Sequence, residues 1–214
     1  MGLLFCWWCH AALAAETLCN ELVIERAGRL LSPKLQGKSP VFQVERDRVR
    51  VELKTGWGIF KRTVPAGFLT FGYFPGEKTI GVINAQVPES FRGNGIQNAM
   101  FSIMVARFPE AEVIATTNLQ QTNAAAFMEG LISRMAPDYR GRSGLSSRAR
   151  FVECCEEAWR RLPQSQKDQF ATEAIKETPA FKTRKKFGFE KLCKGAPTFN
   201  SGGLMYNINF VVCR

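Results

Sequence analysis

The chain has 214 residues, of which 45% are hydrophobic and 22% charged, the balance of an ordinary globular protein. Its 17 Phe and 4 Trp exclude disorder as the main description, and no apolar run reaches the roughly 20 residues of a membrane-spanning helix. The 29 basic residues against 19 acidic ones leave a charge of +10, which favours an anionic partner and is silent about fold.

Residues 2–15 (GLLFCWWCHAALAA) are apolar. They lack the basic residues that precede the apolar part of a signal peptide. The expectation is a helix that runs on into residues 16–31. Within it, Cys6-Trp7-Trp8-Cys9-His10 matches the haem pattern C-x-x-C-H, and Cys6, Cys9, His10 and Cys19 form half of a zinc-type set. With no export signal and no second half, these read as packing residues, and no metal site is expected. His10 is the only His, so no Ser-His or Cys-His pair forms elsewhere. Seven Cys (6, 9, 19, 154, 155, 193 and 213) without a disulfide spacing read as reduced thiols in a cytoplasmic protein. Cys154 and Cys155 then lie on one helix and face different directions.

Pro33 ends the first helix, and 32–40 reads as a loop. Residues 41–53 set Val44, Val49, Val51 and Leu53 against Glu45, Arg46, Arg48, Arg50 and Glu52, a strand pattern with a turn near Asp47. Strands over 66–74 and 79–87 make a hairpin through the turn at 74–77. An amphipathic helix follows over 96–108, with Met100, Ile103, Met104 and Phe108 on one face. Residues 113–116 form a strand and 123–135 a helix. A polar, basic stretch over 138–150 leads into a helix over 147–162. Another helix starts at Gln164, where Ser165 and Asp168 fit a capping pattern. Thr178 caps a further helix with Pro179 at its first position. Strands over 188–193 and 204–212 end the chain. This order predicts an α/β or α+β protein around a sheet of mixed direction.

The segment from Val87 to Gln97 carries a strand into a Gly-containing turn that opens a helix. Such a turn aims backbone N–H groups at one spot and suits a phosphate. Gly93 and Gly95 leave room for a ligand beside the backbone, and Arg92 adds charge. It is not a P-loop, because Gly-Lys-Ser/Thr is missing. It is not the dinucleotide fingerprint, because the third Gly is missing.

The same segment resembles the acyl-CoA signature R-x-x-G-x-G/A of the GCN5-related N-acetyltransferases. Arg92 and Gly95 match it, Val87 falls in the preceding strand, and Ala99 and Met100 fall in the helix. Gln97 departs from the Gly/Ala position. Asn123-Ala-Ala-Ala126 resembles the opening of that family's next helix. Phe181-Lys-Thr-Arg184-Lys185-Lys186-Phe187-Gly188-Phe189 resembles its lysine-rich turn before Gly-Phe. About fifty residues separate the two pieces.

The resemblance implies a mixed central sheet of the acyl-CoA N-acyltransferase type with helices on both faces. That domain would cover 41–130 and 178–214, after an N-terminal helical segment over 1–40 and around a helical basic insertion over 131–177. It implies acetyl-CoA as co-substrate, held by Val87, Arg92, Gly93, Asn94, Gly95, Ile96, Gln97, Asn123, Arg184 and Lys185. The acetyl group would pass to an amine of a protein, an aminoacyl-tRNA or a small molecule. In this family acetyl-CoA lies in the splay between two parallel strands, and a backbone N–H near residues 85–87 would stabilise the developing oxyanion. The general base has no carboxylate on the strand itself, and Glu89 flanks it, as does Glu77. The family's acidic Tyr is replaced by Arg184, which leaves Tyr73 and Tyr206 as substitutes. The catalytic candidates are therefore Tyr206, Tyr73 and Glu89. The rival reading is a catalytically degenerate fold kept as a binding or structural module, associated with nucleic acid.

Two basic clusters stand out. Arg134, Arg140, Arg142, Arg148 and Arg150 have only Asp138 among them and read as a mobile loop for an anionic acceptor, an acidic protein or RNA. Lys182, Arg184, Lys185, Lys186, Lys191 and Lys194 read as a CoA phosphate surface. No membrane span is expected, and a homodimer is one expected assembly.

Overall fold

The computed structural model describes residues 20–56, 62–116, 121–193 and 210–214. Helix α1 covers 20–28 and the single turn α2 covers Pro33–Gln36. Strands β1 (Pro40–Val44), β2 (Arg48–Thr55), β3 (Arg62–Phe74) and β4 (Thr79–Gln86) come next. Then follow α3 (Ile96–Arg107), β5 (Val113–Thr116), α4 (Gln121–Met135), α5 (Ser147–Cys154) and α6 (Glu156–Arg161). The chain ends with α7 (Gln164–Glu177), α8 (Pro179–Lys185), β6 (Lys191–Leu192) and β7 (Phe210–Cys213). The seven strands form one mixed sheet in the order β1-β2-β3-β4-β5-β7-β6. Thr79–Val82 of β4 pair in parallel with Val113–Thr116 of β5. The pairs β1/β2, β2/β3, β5/β7 and β6/β7 are antiparallel. The mixed α/β class expected from the order of elements is what forms.

By contact the chain divides into two compact units. The first comprises Met1–Thr70 and Asn84–Pro109. Its strands turn over at Asp47, where Glu45 N–H donates to Arg48 O at 2.8 Å. The alternation in β2 then sorts its side chains. Val49, Val51 and Leu53 are fully buried, and α3 packs on β2 through an apolar face that includes Ile96, Ala99, Met100, Ile103 and Met104. The β2/β3 register jumps between Val51, which faces Gly67, and Glu52, which faces Pro65. Ala66 is thus the extra residue of a β-bulge. A Cβ on Gly67 would lie 3.0 Å from Gln86 O and 3.0 Å from the Ile96 Cγ2 methyl.

The second unit comprises Phe71–Ile83 and Glu110–Arg214. Helix α4 buries Phe127, Met128, Leu131 and Ile132, and packs against α5 and α7. A Cβ on Gly130 would meet Ala174 Cα at 3.1 Å, so the missing side chain lets α4 and α7 approach closely. Thr178 caps α8 as expected: its hydroxyl accepts from Phe181 N–H at 3.2 Å, with Pro179 at the first position.

Several expectations are corrected. The loop over 32–40 contains the turn α2, because Pro33 opens a helix as readily as it ends one. Ser165 does not cap α7. The capping position is Pro163, and Gln164 instead donates to Asp168 at 2.7 Å. The single helix over 147–162 is two helices, because Cys155 leaves helical geometry at φ −133°. Adjacent side chains on a continuous helix point about 100° apart. The break brings Cys154 and Cys155 together as a disulfide, and Cys193 pairs with Cys213. For these four the structure pairs sulfurs that the sequence pattern left separate. Strand β6 is two residues long. The N-terminal Cys and His residues, and the part of the last expected strand before Phe210, lie outside the described residues.

The Gly67 contact yields a prediction. Gly67→Ala should lower stability by about 1–3 kcal/mol, because the backbone of Gln86 and the buried Ile96 must both shift. A denaturant midpoint equal to wild type would show that β3 and α3 tolerate a wider spacing.

Candidate functional site

Helix α3 begins after a tight descent from β4. A 3₁₀ turn over Glu89–Phe91 leads to Arg92, Gly93, Asn94 and Gly95. Gly93 has φ +76° and Gly95 φ +81°, the left-handed region that favours glycine. The two glycines serve different ends. A Cβ on Gly93 would meet nothing within 4 Å. A Cβ on Gly95 would lie 2.0 Å from Leu30 O. The space beside Gly95 is filled by the chain's own backbone, so the expectation that it was left for a ligand is corrected.

Asn94 braces the turn from both sides. Its backbone carbonyl accepts from Ser32 N–H at 3.0 Å, and its Oδ1 accepts from Ser32 Oγ at 2.8 Å. Its Nδ2 donates to Phe91 O at 3.1 Å and to Arg92 O at 3.0 Å. Gly95 is the N-cap, and among the described residues no side chain caps the helix. The first helical bond runs from Ala99 N–H to Gly95 O at 2.9 Å. The N–H groups of Ile96, Gln97 and Asn98 therefore receive no acceptor from the described residues. Arg92 is exposed beside them, with its Nε at 3.4 Å from Val87 O. On β4, a strand internal to the sheet, Ile83 is 60% exposed.

The other sequence-predicted residues are distributed more widely. Glu89 is exposed in the 3₁₀ turn, and its carbonyl accepts from Arg92 N–H at 3.1 Å. Tyr73 lies near the turn that joins β3 to β4, with its hydroxyl bonded to Glu110. Desolvation, followed by that hydrogen bond to a carboxylate, raises its pKa above the ordinary tyrosine value. Glu110 is held below the usual carboxylate range by its own backbone N–H and then by Tyr73. Tyr206 lies outside the described residues. Asn123 Oδ1 accepts from Ala180 N–H at 2.9 Å, so this side chain serves the N-terminus of α8. Lys185 is exposed.

Arg184 departs most from its expected surface position. It is 2% exposed and the bulkiest of the fully buried side chains. Its Nη1 donates to Ala180 O at 2.7 Å, its Nη2 to Thr116 Oγ1, and the guanidinium lies 4.8 Å from the Phe210 ring centroid. Burial pushes its pKa down to about 9, so it stays charged at neutral pH. The apolar positions Ala180 and Phe181, one helical turn before it, put Arg184 on the buried face of α8.

The arginines of the insertion are also engaged. Arg150 pairs with Glu129 at 2.8 Å and lies 5.9 Å from the Tyr139 ring centroid. Tyr139 donates to Glu153 at 3.0 Å, Arg142 stands 3.8 Å from Glu153, and Arg134 pairs with Glu177 at 2.6 Å. The free, mobile basic loop is replaced by a set of cross-element contacts, with Arg140 exposed at its edge.

One group escaped the sequence reading. A cavity of about 560 Å³ lies in the first unit, lined in part by Arg48, Arg50, Glu52, Phe68 and Gln86. The signal was present as charges at alternate positions of β2, read there only as the polar face of a strand. Among the described residues no cluster of His, Cys, Asp and Glu could hold a metal, and no helix is long and apolar enough to cross a membrane. No protein-family model matches the chain, and no curated protein matches its sequence.

The two glycines of the turn separate strain from contact. Gly93→Ala should cost about 1 kcal/mol, the strain of a left-handed alanine in open space. Gly95→Ala adds a collision with backbone and should cost at least about 3 kcal/mol. Equal losses in chemical denaturation would mean that Leu30 yields to a side chain.

Proposed function

We propose that this protein is an acetyl-CoA-dependent N-acetyltransferase of the GCN5-related type, acting on an amine of a protein, an aminoacyl-tRNA or a small molecule. The observation that carries the reading is the start of α3. Three N–H groups that receive no acceptor from the described residues lie there, beside the open flank of Gly93 and the exposed Arg92. Such a donor set fits a pyrophosphate, through the partial charges of the helix end and the directed N–H groups. When bound, acetyl-CoA supplies a thioester that an amine attacks. The residues of this chain would hold it: Ile96, Gln97 and Asn98 through their backbone, Arg92 through its charge. The parallel pairing of β4 with β5 agrees with the sheet of that family.

A second reading, a cofactor-binding module without transfer, is favoured by one observation. Arg184 takes the position of the family's acidic Tyr, and its guanidinium is engaged in the core.

Calorimetric titration with acetyl-CoA tests the site. Gly93→Asp places a carboxylate beside the helix N-terminus in open space, at a backbone conformation that Asp tolerates. It should weaken acetyl-CoA binding at least about tenfold, with a stability loss no larger than the ~1 kcal/mol of Gly93→Ala. Unchanged affinity in this folded variant would remove acetyl-CoA from the turn. Thiol release in the presence of an amine panel then separates the two readings: an acetyltransferase liberates CoA, and a binding module does not.

A further inference from the structure

The cavity in the first unit is built by one strand face and one bulge. Burial of Val49, Val51 and Leu53 turns Arg48, Arg50 and Glu52 to the opposite face of β2. Across the ladder, Arg48 faces Thr70, Arg50 faces Phe68 and Glu52 faces Pro65. Without the bulge, Pro65 and Phe68, three residues apart, would point to opposite faces. The extra Ala66 puts both on the cavity side, where they line it together with Pro88 and Gln86. The wall is apolar and partly aromatic, and the charges stand along one edge.

Those charges are not consumed by close ion pairs. Arg48 has a 3.4 Å contact with the Thr70 hydroxyl. Arg50 approaches Glu45 only to 3.9 Å. Glu52 has no cation within salt-bridge distance among the described residues. All three are half-buried, where a charge-assisted hydrogen bond is stronger than one fully in water. Two residues along a strand span about 7 Å, so the backbone positions of Arg50 and Glu52 set a cationic and an anionic side chain side by side on one face.

We infer that this cavity binds a small molecule carrying an acid group and a primary amine at opposite ends of a ring-sized apolar spacer. Arg48 and Arg50 take the acid group, Glu52 takes the ammonium, and Phe68 lies against the spacer. Gln86 adds one amide at the rim. The inference is independent of the acetyl-CoA reading.

The test is calorimetric titration of the full chain, without acetyl-CoA, with three probes: para-(aminomethyl)benzoate, benzoate and benzylamine. The first carries both charges and the other two carry one each. It should bind about tenfold or more tightly than either. Glu52→Gln should bring its affinity down to that of benzoate, and Arg50→Gln to that of benzylamine. Arg48→Gln serves as the second acid-site variant if Arg50→Gln fails to fold. Absence of binding, equal affinity for all three probes, or wild-type affinity in the folded variants would overturn the inference. A stronger response to benzoate than to the two-charge probe would also overturn it, because the cavity would then be a plain anion site. None of these outcomes bears on the turn at Gly93.

Discussion

The carbonyl of Leu30 lies against Gly95, and the geometry at the start of α3 follows from that contact. A side chain at Gly95 would collide with backbone, so the turn can close this tightly only with glycine there. The approach is fastened by the two bonds from Ser32 to Asn94, each worth about 1 kcal/mol net. With Leu30 on one side and the Asn94 bonds to Phe91 and Arg92 on the other, the helix end has a fixed direction. Its uncapped N–H groups are therefore preorganised. A donor set that need not rearrange holds an anion better than one on a loose loop, because the ordering entropy is already lost on folding.

A different constraint governs β2. Burying Val49, Val51 and Leu53 contributes about 2 kcal/mol per side chain. Slipping the strand by one residue would bury Arg48, Arg50 and Glu52 instead, at a prohibitive desolvation cost. The apolar face thus fixes the register, and the register fixes where the charged face lies. The bulge at Ala66 modifies this on β3 alone, so the two strands contribute residues to the cavity with different spacings. Core packing and the chemistry of the outer face are two consequences of one alternation.

Much of this architecture was legible because it is periodic. The hairpin of β3 and β4, the helix α3, the short strand β5 and the Thr178-Pro179 start of α8 all follow from apolar spacing and turn chemistry. What escaped depends on partners distant in sequence. Nothing local to Gly95 reveals Leu30, 65 residues earlier. Arg184 sits in a run of basic residues that looks like solvated surface, yet Thr116 and Phe210 enclose it. The arginines over 134–150 looked unopposed because Glu129, Glu153 and Glu177 lie outside that stretch, on α4, α5 and α7. Ser165 and Asp168 offered a capping pattern, and the helix starts two residues too early for it. The candidate site was legible as a turn with donors. The separate roles of its two glycines were not.

The burial of Arg184 also narrows the chemistry available in the acetyltransferase reading. A guanidinium in the core, bonded to Ala180 and Thr116 and set over Phe210, cannot swing to a reacting centre without giving up those contacts. Even at its lowered pKa of about 9 it holds its proton firmly at neutral pH, so it is a fixed charge and not a proton donor. Tyr73 is no better placed, because desolvation and then its hydrogen bond to Glu110 make it a weaker acid than a free tyrosine. The reaction would therefore proceed without an acid from either residue. That is chemically tolerable, since a thiol of pKa about 8.5 departs as thiolate with little assistance. The rate would rest on holding the amine and thioester in attacking geometry and on backbone N–H stabilisation of the oxyanion. A site of that kind depends more on the rigidity of its turn than on any single side chain, and rigidity is what the contact between Leu30 and Gly95 supplies to the start of α3.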